Sequence, residues 1–138
     1  MDLSYALTPV LAWLIAGALK FLINSIKAGQ PAFGLIGYGG LPSNHSAIVS
    51  SMAALIAMKE GIGHPAFGVA LTVAFIVVMD ASSLRGQVGR HALAINRLSA
   101  ADQEHKALRE RIGHSRMEIL AGVAVGIAVA AAVRATIG

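Results

Sequence analysis

Residues 3–26, LSYALTPVLAWLIAGALKFLINSI, carry a single charged side chain, Lys20, in their last turns. A membrane-crossing helix needs about 20 consecutive, mostly apolar residues, and this stretch supplies them. No positively charged segment precedes it, so it reads as a retained span rather than a cleaved signal peptide. The rest of the chain agrees. Of 138 residues, 56% are hydrophobic and 13% charged, and the mean hydropathy is +0.69. Soluble domains lie near about 45–50% apolar and about 25% charged. Aromatics make up only 5%, so Ala, Val, Ile and Leu carry the hydrophobicity. That composition suits helices packed closely in lipid through small residues. The expected fold is all-α, a small integral membrane helical bundle forming one domain over residues 1–138.

Three further apolar segments follow. The second starts at Ser43 or Asn44, both good N-cap residues, and runs to about Met58, short for a span. The third, Pro65 to Met79, opens with proline at a helix-start position. The fourth runs from about Ser115 to Ile137. Between the last two lies DASSLRGQVGRHALAINRL, residues 80–98. Its Leu84, Val88, Ile95 and Leu98 recur at helical spacing, which predicts a helix at or below the membrane surface or continuous with the third segment. The expected architecture is therefore about four transmembrane helices plus an interfacial helix. Residues 28–43, AGQPAFGLIGYGGLPS, are too apolar for a free linker and read as a re-entrant or interface-hugging loop. Residues 99–112 read as a solvated loop or short helix.

Threading four spans alternately puts nine of the eleven Lys and Arg residues on one face, leaving Lys59 and Arg134 opposite. The positive-inside rule makes that face cytoplasmic, in a multi-pass protein of the cell's inner (plasma) membrane. Pro42, Ser43, Asn44, His45, Asp80, His91, His114 and Glu118 gather on the same face. Polar groups at the edge of a membrane bundle are costly to bury, and so point to function; the plain alternative is wetting by headgroups and cytosol.

In GGLPSNHSAIVSS (residues 39–51), His45 sits beside Ser43 and Asn44 at a helix start. Free backbone N–H groups and the helix dipole there favour an anion. Gly39 and Gly40 allow the backbone to approach a ligand. His45 is placed to donate a proton to a leaving oxygen; otherwise the segment is only a cap and turn. His114 and Glu118, four apart, share a helix face. The carboxylate would fix the imidazole tautomer and leave the other nitrogen as nucleophile or base; the alternative is a surface ion pair. Asp80 and Arg85 form a pair that orients a phosphate-binding guanidinium, or mark the end of a span. Lys20 is either a phosphate ligand or a snorkelling anchor.

Taken together, AWLIAGALKFL, GGLPSNHSA, VVMDASSLRGQVGRHALAIN and RERIGHSRMEILAG resemble the divergent branch of the type 2 phosphatidic acid phosphatase superfamily, also described as acid phosphatase/vanadium-dependent haloperoxidase related. That resemblance implies metal-independent hydrolysis of a lipid phosphomonoester or diphosphate, prenyl or glycerolipid. One histidine attacks phosphorus, another protonates the leaving group, and Lys, Arg and Ser hold the phosphate. Pro42-Ser43-Asn44-His45 matches the superfamily's P-S-G-H with Asn44 for glycine. Lys20 followed by Lys27 resembles its K-x6-R-P, without the arginine and proline. The third motif, S-R-x5-H-x3-D, is split. Arg85 and His91 keep the R-x5-H spacing but Ile95 stands where an acid belongs, whereas His114 and Glu118 match H-x3-D. On this resemblance His114 is the nucleophile and His91 the runner-up. His45 is the acid, Glu118 and Asp80 orient, and Lys20, Ser43, Asn44 and Arg85 bind phosphate.

The same residues bound what the chain does not do. With no cysteine, disulfides, thiolate nucleophiles and Cys metal sites are excluded. No HExxH-like spacing links the histidines, so neither a metal nor another cofactor is expected. The net charge of +4 comes without a basic stripe interleaved with aromatics, so no nucleic acid partner is expected. The expected partners are membrane lipids and a phosphorylated lipid substrate. A homodimer through Gly122 and Gly126 of the fourth segment is a further expectation. The rival readings are a non-catalytic binder of anionic lipid or phosphate and, more weakly, a small transporter subunit.

Overall fold

A computed structural model of the protein describes residues 2–33, 40–101, 105–110 and 112–137. Among them there is no strand. Five helices follow in order: α1 (Ser4–Ala28), α2 (Asn44–Lys59), α3 (Pro65–Ser82), α4 (Leu84–Leu98) and α5 (Arg116–Ile137). Ser83, between α3 and α4, keeps right-handed dihedrals (φ −94°, ψ −65°), so those two helices follow one another through a single residue.

Small residues decide the packing. On α1, Ser4, Thr8, Ala12 and Ala16 recur every fourth position and are all buried, forming one stripe. Leu22 and Ile26 of the same helix are more than half exposed, as a lipid-facing surface should be. Thr8 Oγ1 donates to Ser4 O at 2.7 Å, satisfying the one buried hydroxyl beside Pro9. Helix α2 lies in the middle and packs on α1, α3 and α5. Ala12 of α1, Leu55 of α2, and Val129, Ala130 and Val133 of α5 form the shared core. Helix α3 buries only Ala81 and exposes Val69, Leu71, Phe75 and Ile76.

The closest approach is between α2 and α5. A Cβ at Gly122 would lie 2.4 Å from Ser43 O, and one at Gly126 would lie 2.5 Å from Ala47 O. No side chain fits in that space. The Gly122 and Gly126 face, expected to serve a second copy, is thus filled within one chain. Dispersion between close backbones, rather than burial from water, favours this contact in lipid.

Among the described residues three helical runs are long and apolar enough to cross a membrane: Ser4–Ala28, the α3–α4 run Pro65–Leu98, and Arg116–Ile137. The expected count of about four is too high by this measure, because α2 has 16 residues. That is about 24 Å of helix against a hydrocarbon core of about 30 Å. The centre of the 28–43 loop, Gly39 included, lies outside the described residues, as does Arg111. The re-entrant reading of that loop falls on those residues, outside the described ones.

Candidate active site

Each site residue reaches its place by a local device. Ser43 caps α2, accepting from Ser46 N at 3.3 Å and from Ser46 Oγ at 3.1 Å, while its own N–H donates to Glu118 O at 2.9 Å. This sets Asn44 and His45 in the first turn of α2 and ties that turn to α5. The Ser43 side chain is wholly buried and engaged in the cap.

His114 arrives by a different route. Asn96 of α4 holds the incoming segment: its Nδ2 donates to Leu108 O at 2.8 Å, and its Oδ1 accepts from Leu108 N at 2.8 Å. Gly89 lets Glu110 pass, since a Cβ there would lie 2.4 Å from Glu110 O. Gly113 then turns at φ +114°, a conformation that favours glycine. His114 N donates to Ala81 O at 3.1 Å, fixing the ring's entry point near the end of α3.

These elements enclose a cavity of about 710 Å³. Lys20, Asn44, His45, Arg85, Arg109 and His114 form its polar wall. Trp13, Leu14, Phe21, Phe33 and Ile112 form an apolar one. Along α1 the lining runs from Asn24 back to Trp13, about 16 Å of helix, with Lys20 nearer the loop end and Trp13 deeper toward the bundle's middle.

The two histidines face each other with ring centroids 5.9 Å apart and planes tilted by 54°. His114 Nδ1 lies 3.0 Å from Glu118 Oε2. A carboxylate accepts, so Nδ1 donates, and in the neutral ring Nε2 carries the lone pair. Glu118 is held in turn by the N–H of Ser115 at 3.0 Å.

His45 Nε2 lies 3.2 Å from an Arg85 guanidinium nitrogen. Guanidinium only donates, so Nε2 accepts and the neutral ring carries its proton on Nδ1. That Nδ1 is buried and without a partner, as is Asn44 Oδ1. Buried polar atoms are nearly always paired, and these two sit on adjacent residues of the cavity wall.

The structure thus brings together Lys20, Asn44, His45, Arg85 and His114, with Glu118 behind His114. It does not bring His91 there: His91 is exposed on α4 and does not line the cavity. Six residues of helix turn it about 120° away from Arg85, onto another face of α4. Asp80 also stays out of the lining, although its charge is close enough to act on His45. No group of three or more His, Asp or Glu residues is poised for a metal among the described residues. Sequence reasoning missed Trp13, Phe21, Asn24, Phe33 and Arg109. On α1 a signal existed: Trp13, Gly17, Phe21 and Asn24 recur at spacings of four, four and three, the stripe beside the buried one. The other two histidines have local partners: His64 caps α3 through Ala66 N, and His105 meets Asn96.

A membrane-embedded helical bundle with facing histidines and cations around a half-apolar cavity is the class of protein these features define. The chain belongs to the Divergent PAP2 family, whose model matches residues 2–129. The resemblance carried by the four sequence blocks is thereby borne out. A relative, the uncharacterised membrane protein YuiD of Bacillus subtilis, is 28% identical over 138 residues, covering 88% of this chain and 87% of its own. No solved structure matches the chain at a significant level.

Proposed function

We propose that the protein is a membrane lipid phosphatase that hydrolyses a phosphomonoester or diphosphate of a prenyl lipid or glycerolipid at the cytoplasmic membrane face. The observation that carries this reading is a cavity lined both by facing imidazoles and cations and by aromatic and aliphatic side chains. A soluble phosphate ester has no use for the Trp13–Phe21 wall, whereas a lipid tail entering from the bilayer does.

In this mechanism the phosphoryl group sits between the rings, held by Lys20 and Arg85 and by the Asn44 amide at the start of α2. His114 Nε2 attacks phosphorus, with Glu118 stabilising the positive charge that develops on the ring. The bond from phosphorus to the lipid oxygen breaks, and that oxygen takes a proton from His45. Water, deprotonated by His45, then attacks the phosphohistidine and releases inorganic phosphate. His114 is thereby restored. Asp80 acts from outside the cavity wall through its charge, and Ser43 acts through the cap that positions Asn44 and His45.

The second reading, a non-catalytic binder of anionic lipid or phosphate, is favoured by the absent Arg-Pro of the first motif and the split third motif. One experiment separates the two. Purified protein is assayed for phosphate release from prenyl and glycerolipid phosphates and diphosphates, with vanadate as inhibitor. Release that disappears in His114→Ala and His45→Ala supports the phosphatase. Binding without release supports the binder, and release at the parent rate in both variants contradicts the mechanism.

A further inference from the structure

The contact between Arg85 and His45 leaves the acid unarmed. Arg85 occupies His45 Nε2 at 3.2 Å, and Nε2 must accept. Nε2, the ring nitrogen on the side where Arg85 would hold a phosphate, therefore carries no proton. The remaining ring proton, on Nδ1, is buried and touches no acceptor. His45 in this state has one hydrogen bond, and a neutral one on its side.

We propose that the Arg85–His45 contact is a latch that phosphate opens: the guanidinium moves from His45 Nε2 to the phosphate oxygens, and the freed Nε2 takes a proton from solvent. The inference rests on the reading of the cavity as a phosphate site. A guanidinium can bond a phosphate bidentately, making two hydrogen bonds to an oppositely charged group where His45 offers one neutral acceptor. The exchange is therefore favourable for Arg85. It is also required for His45, because a protonated Nε2 and a guanidinium cannot share one contact.

The charges around His45 fit the same account. Arg85 reaches it from α4, Lys20 from α1, His114 from the segment before α5, and Asp80 from α3. Glu118 is already engaged by His114. Cations outnumber the single carboxylate, Asp80, in this ring of neighbours. A phosphate between the rings would bring negative charge beside a protonated His45. Arg85 is thus both a phosphate ligand and the positioning residue that decides when His45 carries the catalytic proton.

Imidazole nitrogen NMR tests this directly, using full-length protein with isotope-labelled histidine in lipid nanodiscs at neutral pH. Loss of signals in His45→Asn and His114→Asn assigns the rings. Without ligand, His45 should be a single neutral tautomer protonated at Nδ1. With saturating vanadate, both of its nitrogens should be protonated. In Arg85→Gln the ligand-free ring should lose its tautomer preference, while the His114 signals keep their parent form. If vanadate shifts His114 and leaves His45 unchanged, or if ligand-free His45 is already doubly protonated, the latch is overturned and the phosphate site stands. If saturating vanadate moves neither ring, the phosphate site itself falls and the latch with it.

Discussion

The two ends of the bundle treat polar groups in opposite ways. Near the start of α1, Lys59 Nζ lies 2.7 Å from Asp2 Oδ2 and 3.2 Å from Ser4 Oγ. Tyr5 donates to Glu60, and the Lys59 ammonium sits over the Tyr5 ring. Asp2, Lys59 and Glu60 each meet a partner there, and the cluster ties the chain's start to the end of α2. At the cavity end cations outnumber the acids near them, and two adjacent residues keep buried polar atoms unpartnered. Satisfied polarity holds a fold together. Polarity left unsatisfied in the wall of a cavity is the mark of a site awaiting a ligand.

Substitutions at the two ends should separate these roles. His114→Ala is expected to lower phosphate release about 10³-fold or more, whereas Lys59→Met should leave turnover at the parent rate. Steady-state phosphate release checks both, and equal losses at the two ends would erase the contrast. Glu118→Gln keeps the shape of the orienting group but removes its charge. It should cost about 10²-fold in turnover, read in the same assay. Between the ends, Gly126→Leu has no room against Ala47 O and Ser50. It should destabilise the bundle by about 1–3 kcal/mol, seen as a lower thermal midpoint in detergent. A variant that instead stays monomeric-stable but loses self-association would return that face to the role of a dimer contact.

The smallest effect belongs to Asp2. Its hydrogen bonds with Lys59 and then with Ser4 hold its carboxyl well below the ordinary value of 3.8. A depressed folded value means the carboxylate stabilises the folded state above that ordinary value and stops doing so as pH falls through the lowered one. Because Asp2 is exposed, salt should screen the contribution. Thermal midpoints of the parent and Asp2→Asn should therefore differ slightly at neutral pH and low salt, and converge in strong acid or high salt.

The long apolar runs made α1 and α5 legible, since length and the near absence of charge are local properties of a sequence. Helix α2 was harder to read. Its serines and alanines announce a helix, but its 16 residues acquire meaning only from the three helices around it. The glycine face of α5 shows the same limit: a small-residue stripe says that something packs closely, and only the fold says that the partner is α2. At the site, Lys20, His45, Arg85 and His114 were legible because each is a polar group stranded beside apolar sequence. His91 misled because it keeps a motif's spacing, while helix geometry turns it away from Arg85. The apolar wall was hidden, since Trp13 and Phe21 look like any lipid-facing residues until the cavity is seen between them.

The claim on which the account stands is that His114 attacks phosphorus, and trapping the covalent intermediate tests it most directly. Protein is mixed with a lipid phosphate radiolabelled in its phosphoryl group, quenched in alkali within the first turnover, and digested. The account predicts label on His114, stable in base and lost in acid, and absent from His114→Ala. Steady turnover with no label on His114, or with label on His45 or His91, would contradict it.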